Sequence, residues 1–151
     1  MESIIIYCDG GCRGNQSDRN IGGWGAVLSY QAHTKELSGG AVNTTNNIME
    51  LTAAIRALES LKTFDIPVEF FIDSAYVVNG MNNWINGWEK KGWRTASGAA
   101  VKNKELWMRL SELASRQKTI HFNKVKGHHG ITLNERADKL ANQAMDAQSR
   151  N

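Results

Sequence analysis

From Asn46 the apolar residues Ile48, Leu51, Ile55, Leu58 and Leu61 recur three or four positions apart in a window rich in Ala, Leu and Glu, which predicts an amphipathic helix. The pattern before it has a different period. Ile4 to Gly11 is a short apolar run with β-branched residues that ends in Asp9 and two glycines, and it predicts a strand buried on both faces. Gly22 to Tyr30 and Thr34 to Val42 predict a second and third strand, paired as a meander through a turn at Gln31 to His33. After the helix, Pro67 to Asp73 predicts a fourth strand closed by an acid, followed at once by a helix from Ser74 that carries Tyr76, Val77, Val78 and Met81. Leu106, Trp107, Leu110 and Leu113 mark a helix from Asn103, and Thr119 to Val125 alternates as the last strand. In the closing helix Ala137, Leu140, Ala141, Ala144 and Met145 form the apolar face, with Asp138 expected on its border beside Asn134, Ala141 and Met145.

Two strands of this pattern end in an acid, Asp9 and Asp73, and acids at one sheet edge place ligands together. Glu50 and Asp138 sit on helices that could deliver them to the same spot. Each has a plainer reading: Asp9 opens a turn, Glu50 closes a capping box with Asn47, Asp73 caps the helix after it, and Asp138 is a solvated boundary position. Four clustered carboxylates would raise one another's pKa unless cations held them, and magnesium suits an all-oxygen set.

With 151 residues the chain is expected to be one domain spanning 1–151, able to bury a core without disulfides or structural zinc. The two cysteines, Cys8 and Cys12, lack zinc-site spacing and favour a reducing, cytoplasmic setting. No signal peptide is expected before the first strand, and no stretch reaches transmembrane length. The net charge is only +3, but the segment from Glu89 to Lys126 holds 10 of the 18 Lys and Arg against 3 of the 15 acids, leaving the remainder acidic. A basic segment beside an acidic one points to a polyanion held near a metal site, or, more simply, to a solvated helix face.

Trp84, Trp88 and Trp93 are interleaved with Lys90, Lys91 and Arg94 and interrupted by Gly87 and Gly92. Such a mixture can stack on nucleic acid while the cations meet phosphates, although Trp84 and Trp88, four apart, can equally pack one helix onto another. The glycine-flanked His128 and His129 point different ways and make a poor metal pair. A histidine beside an acidic metal site can instead move protons.

With these residues in view, the sequence resembles type 1 ribonuclease H in its compact bacterial form. The likeness runs nearly end to end through YCDGGCRGN, GGWGAVL, TTNNIMELTAAIRAL, DSAYVVNG, the tryptophan and lysine segment, VKGH and NERADKLA, in family order. The resemblance implies an α/β ribonuclease H-like fold, with a five-stranded mixed sheet of order 3-2-1-4-5 and helices on both faces. It implies sequence-independent endonucleolytic hydrolysis of the RNA strand of an RNA/DNA hybrid by two Mg²⁺ ions, with Mn²⁺ as a substitute, giving 5′-phosphate and 3′-hydroxyl ends. Carried over by position, Asp9, Glu50, Asp73 and Asp138 would be the catalytic metal ligands, and His128 would assist proton transfer or product departure. Gly10, Gly11, Cys12, Asn15, Thr45, Asn46 and Asn47 would meet the hybrid, chiefly in its minor groove, where shape and the 2′-hydroxyl are read. Trp84, Trp88, Lys90, Lys91 and Trp93 match the basic protrusion that grips the DNA strand. A monomer without a membrane partner is expected.

The chain departs from the family pattern in several places. Asn15 to Gly23 replaces a shorter Pro- and Gly-rich turn, Asn43 stands where an Arg near a phosphate pocket is common, and Ala75 stands where a substrate-contacting Gln is common. Glu89 adds an acid to the protrusion, and no hybrid-binding domain is expected before Glu2. Two other classes remain at this stage: a hybrid-binding module that does not cut, and a strand-transfer or junction nuclease of the same fold. The four acids argue against the first, and the protrusion and the TTNN segment against the second.

Overall fold

The computed structural model describes residues 2–14, 19–125 and 132–149. Strands β1 (Ile4–Arg13), β2 (Ile21–Tyr30) and β3 (His33–Val42) precede helix α1 (Asn46–Glu59) and strand β4 (Val68–Ile72). Helix α2 (Ala75–Asn79) runs through a π-helical turn, Gly80–Trp84, into α3 (Ile85–Lys90), and α4 (Lys104–Ser115), β5 (Ile120–Lys124) and α5 (Thr132–Ser149) complete the chain. The strands form one mixed sheet of order β3-β2-β1-β4-β5, antiparallel among the first three and parallel from β1 to β4 and β4 to β5. This is the expected order.

Alternation along the strands divides the sheet into two faces. Ile4, Ile6 and Cys8 of β1, Val68, Phe70 and Ile72 of β4 and Phe122 of β5 are buried with Leu51, Ala54 and Leu58 of α1 and Trp107 and Leu110 of α4. The opposite face carries a smaller cluster, in which Val27 packs with Ala137 and Leu140 of α5, flanked by Tyr7 and Leu133. At ~25 cal/mol per Å² of apolar surface, the first cluster supplies most of the hydrophobic stabilisation.

Several boundaries differ from expectation, for physical reasons. β1 does not stop at Gly11 but pairs with β2 as far as Arg13 with Ile21, so Asp9 lies within the antiparallel ladder. It is nonetheless the first residue beyond the parallel ladder, whose last pair is Cys8 with Ile72. Nor is β1 buried on both faces, since Ile5 and Tyr7 are only half-buried. Helix α1 is capped by Thr45, whose hydroxyl accepts from the Ile48 amide at 3.0 Å, so the Asn47–Glu50 capping box does not form. Likewise Ser74, not Asp73, caps α2, accepting from the Val77 amide at 3.3 Å. Neither acid is thus the N-cap partner that its place in the sequence suggested. Gly87 does not interrupt α3; the break lies at the π-helical turn and at Gly92, which has φ +67°. Among the described residues no helix is long and apolar enough to cross a membrane.

Candidate active site

Asp9 is the centre of the cleft, and glycines bring the other acids to it. An added Cβ on Gly10 would lie 2.6 Å from the Met49 carbonyl carbon, so the bare backbone lets α1 lie directly against β1. Glu50 is thereby held under the strand, and the Gly10 amide donates to its Oε1 at 2.9 Å and to Asp9 Oδ1 at 2.9 Å. On the other face Gly25 is the register partner of Asp9, and a Cβ there would lie 2.5 Å from the Ala137 carbonyl oxygen. That close approach of α5 sets the next residue, Asp138, within hydrogen-bonding reach of Asp9. Asp73 arrives from the end of the neighbouring parallel strand. Asp9, Asp73 and Asp138 line one cavity with Asn134 and Glu135, and an adjoining one is lined by Asp9, Gly10, Asn46, Asn47, Glu50, Asp73 and Ser74.

The electrostatics of this cleft are those of charges that want a cation. Burial, reinforced by the hydrogen bond and charge of Asp138, pushes Asp9 up to about 7. Burial, reinforced first by the charge of Asp9, pushes Glu50 up to about 9, against the opposing pull of the Gly10 amide. Protons therefore hold the carboxyls together in the metal-free protein. No group of three or more His, Cys, Asp or Glu side chains among the described residues is arranged to hold a metal ion as it stands. A divalent ion nevertheless fits the donor set: the ligands are hard oxygens, and the buried Glu50 Oε2 has no hydrogen-bond partner.

Asp138 departs from expectation in one respect. It is exposed rather than sheltered on the border of the apolar face, and it lines the cleft with Asp9 and Asp73. Thr45 and Asn46 are exposed and Asn47 half-buried at the start of α1, while Gly10, Gly11 and Cys12 line β1 beside them. Cys12 Sγ donates to the Thr44 carbonyl at 3.6 Å. His128 and Asn15 lie outside the described residues.

The tryptophan segment stands apart from the acids and divides into two kinds of residue. Trp88 packs on Trp107 of the core at 5.3 Å between ring centroids, and on Trp84 at 5.8 Å and Trp93 at 6.1 Å. Trp84 keeps 40% of its surface exposed, and Lys90 and Lys91 are exposed at the end of α3. Glu89 is tied back to α4, where Ser111 Oγ donates to its Oε1 at 2.7 Å, so it does not compete for a polyanion as freely as its sequence position suggests. Three residues that touch these regions escaped the sequence reading. Tyr76 is the hub of the segment's base, its hydroxyl accepting from Trp107 Nε1 at 3.0 Å and from Asn103 Nδ2 at 3.2 Å. Glu135 lines the acid cleft, and Lys124 stands beside Asp73. Only Glu135 had a legible signal, its place three residues before Asp138 on one helix.

The ribonuclease H family model matches residues 1–146. The chain belongs to the ribonuclease H family. It is 51% identical over 146 residues to a ribonuclease H of Ruthia magnifica, covering 97% of each chain, and 50% identical over 147 residues to one of Clostridium botulinum, again covering 97% of each. Among solved structures, LC9-RNase H1, a type 1 RNase H with the type 2 active-site motif, superposes with a TM-score of 0.84 at 30% identity over 98% of this chain and 75% of that one. LC11-RNase H1, solved in complex with an RNA/DNA hybrid, superposes with a TM-score of 0.73 at 29% identity over 97% of this chain and 99% of that one. The chain is thus an enzyme of the ribonuclease H class, an endonuclease that hydrolyses RNA in RNA/DNA hybrids and depends on a divalent metal.

Proposed function

We propose that Asp9, Glu50, Asp73 and Asp138 hold two Mg²⁺ ions and that the protein, acting as a single-domain monomer, cuts the RNA strand without regard to base sequence to leave 5′-phosphate and 3′-hydroxyl ends. The observation that carries this reading is the delivery of Glu50 and Asp138 to Asp9 from opposite faces of the sheet across Gly10 and Gly25. When bound, the ions supply an attacking water of lowered pKa and positive charge at the leaving 3′ oxygen. The residues do the rest. Asp9 and Glu50 would hold the ions as carboxylates, with the Gly10 amide keeping both aimed into the cleft, and Asp73 would bind from the strand end. His128 carries a proton to or from the reacting groups.

Gly10, Gly11, Cys12, Thr45, Asn46 and Asn47 lie beside the acids, and with Asn15 they meet the minor groove, where the RNA 2′-hydroxyls mark the strand to be cut. Trp84 with Lys90 and Lys91 holds the DNA strand, and Trp88 and Trp93 support that grip from beneath. Two free thiols, Cys8 and Cys12, suit a reducing cytoplasm. Incubating the protein in Mg²⁺ with labelled hybrid, duplex DNA and duplex RNA tests the whole reading. Cutting confined to the RNA of the hybrid is the expected outcome; binding without cutting, or cutting of duplex DNA, refutes it.

A further inference from the structure

Lys124 is the last residue of β5, on the flank of the cleft. The parallel register sets it level with Ile72, and the Val125 amide donates to the Ile72 carbonyl at 3.0 Å, so β5 ends level with the strand that delivers Asp73. Lys124 shares the strand face of the buried Phe122 but projects past the core, with half its side chain exposed. Its Nζ lies 3.9 Å from Asp73 Oδ1. That separation is an ion pair but longer than a hydrogen bond, so Asp73 consumes none of the three ammonium protons.

We propose that Lys124 is a substrate-positioning residue, whose ammonium contacts a non-bridging phosphate oxygen of the RNA strand next to the bond that is cut. The inference rests on the assignment of Asp73 to the active site. A polyanion must approach a cleft lined by Asp9, Asp73, Glu135 and Asp138, and a cation fixed at its edge offsets the repulsion. Lysine suits the task, since a compact charge with three rotatable donors follows a phosphate oxygen whose place is set by other contacts. Its attachment to a strand end, rather than to the tryptophan segment, ties it to the acids. When the charge of Asp73 is engaged by a divalent ion, the loose pair with Lys124 weakens. The ammonium is then left facing the nearest unneutralised anion, which in the substrate complex is a backbone phosphate.

The test uses the full chain with Lys124→Met, which keeps length without charge, and Lys124→Arg. In saturating Mg²⁺ the Met variant should raise KM for the hybrid about five- to tenfold with kcat within about twofold, as expected for one charge-assisted contact. The slope of log KM against log salt should flatten by roughly 0.9 units, the loss of one phosphate contact on the duplex DNA calibration. Arg should recover most of the KM. In an Asp9→Asn background, where cutting stops, hybrid Kd measured by fluorescence anisotropy should rise by the same factor. Unchanged KM, Kd and salt slope with only a lower melting temperature would make Lys124 a counter-ion of Asp73 and overturn the proposal. So would a fall in kcat at constant KM, which would place it in the chemistry. If the parent chain leaves the hybrid intact, it is the active-site reading that fails, while the Kd comparison still decides the role of Lys124.

Discussion

The acid cleft and the tryptophan segment both gather residues of one chemical kind, but by opposite means. In the cleft, like charges are forced together from four elements and partly buried, so that Asp9 and Glu50 keep protons until a divalent ion replaces them. In the segment, the aromatics Trp88 and Trp93 are packed on the core while the charges of Lys90 and Lys91 are left in water. Electrostatic repulsion is concentrated in the first region and avoided in the second. A charge deleted from the cleft should therefore abolish chemistry and relieve the fold. A charge deleted from the segment should weaken binding and leave the fold alone.

The sharpest break is Asp73→Asn, which keeps shape and removes charge. Cleavage should fall by at least about 10²-fold, given the several kcal/mol that bound metal supplies to such reactions. Hybrid binding should hold and the melting temperature should stay level or rise; a variant that cuts at more than a few per cent of the parent rate would remove Asp73 from the site. Of comparable size is His128→Ala, expected to slow turnover by up to about 10²- to 10⁴-fold while Mg²⁺ affinity, followed by calorimetry, stays unchanged. Loss of metal binding would make His128 a ligand instead.

Gly10→Ala tests the geometry of the cleft rather than its charge. The new methyl would meet α1 backbone at 2.6 Å, so the helix must retreat at a cost of about 1–3 kcal/mol or more, drawing Glu50 from Asp9. Thermal melts and cleavage should both drop; a stable, active variant would show that the close approach is dispensable.

The pH dependence of the metal-free protein has a definite sign. The folded-state values of Asp9 and Glu50 lie above their ordinary values of 3.8 and 4.5, so the folded protein binds more protons than the unfolded chain. Their contribution to stability is complete below about pH 4 and is lost as the pH rises through about 7 and then about 9. Melting temperatures in EDTA should therefore fall across that window by more in the parent than in Glu50→Gln. A parent and variant that respond identically would show that Glu50 is not the group concerned.

The smallest effects belong to the tryptophan segment. Changing Lys90 and Lys91 together to Ala should raise KM more than it lowers kcat and flatten the salt plot by roughly 0.9 units per lost phosphate contact. Trp88→Ala should instead lower the melting temperature, because its ring lies on Trp107, whereas the more exposed Trp84→Ala should weaken binding with little change in salt slope. If the lysine changes did nothing, the segment would be a packed helix edge and the contrast between the two regions would disappear.

Periodicity along the chain determined the elements themselves: alternation in β5 and the three-four spacing of Ile48, Leu51, Ile55 and Leu58 appear in the structure within a few residues of their expected ends. Side-chain period is a local property, set by two or 3.6 residues per repeat, so it survives in one dimension. The acids were visible for the same reason, each standing next to a legible boundary. What they do locally was not visible. Thr45 and Ser74 take the caps that Asn47 and Asp73 are placed to fill, because which of several nearby polar residues caps a helix depends on where the chain enters it. Nor could spacing tell that Lys124 would stand at Asp73, 51 positions away in sequence, or that Trp88 would be packed and Trp84 exposed. The first follows from strand register and the second from the seating of Trp88 on Trp107. They set distances between elements, and distance between elements exists only once the chain has folded.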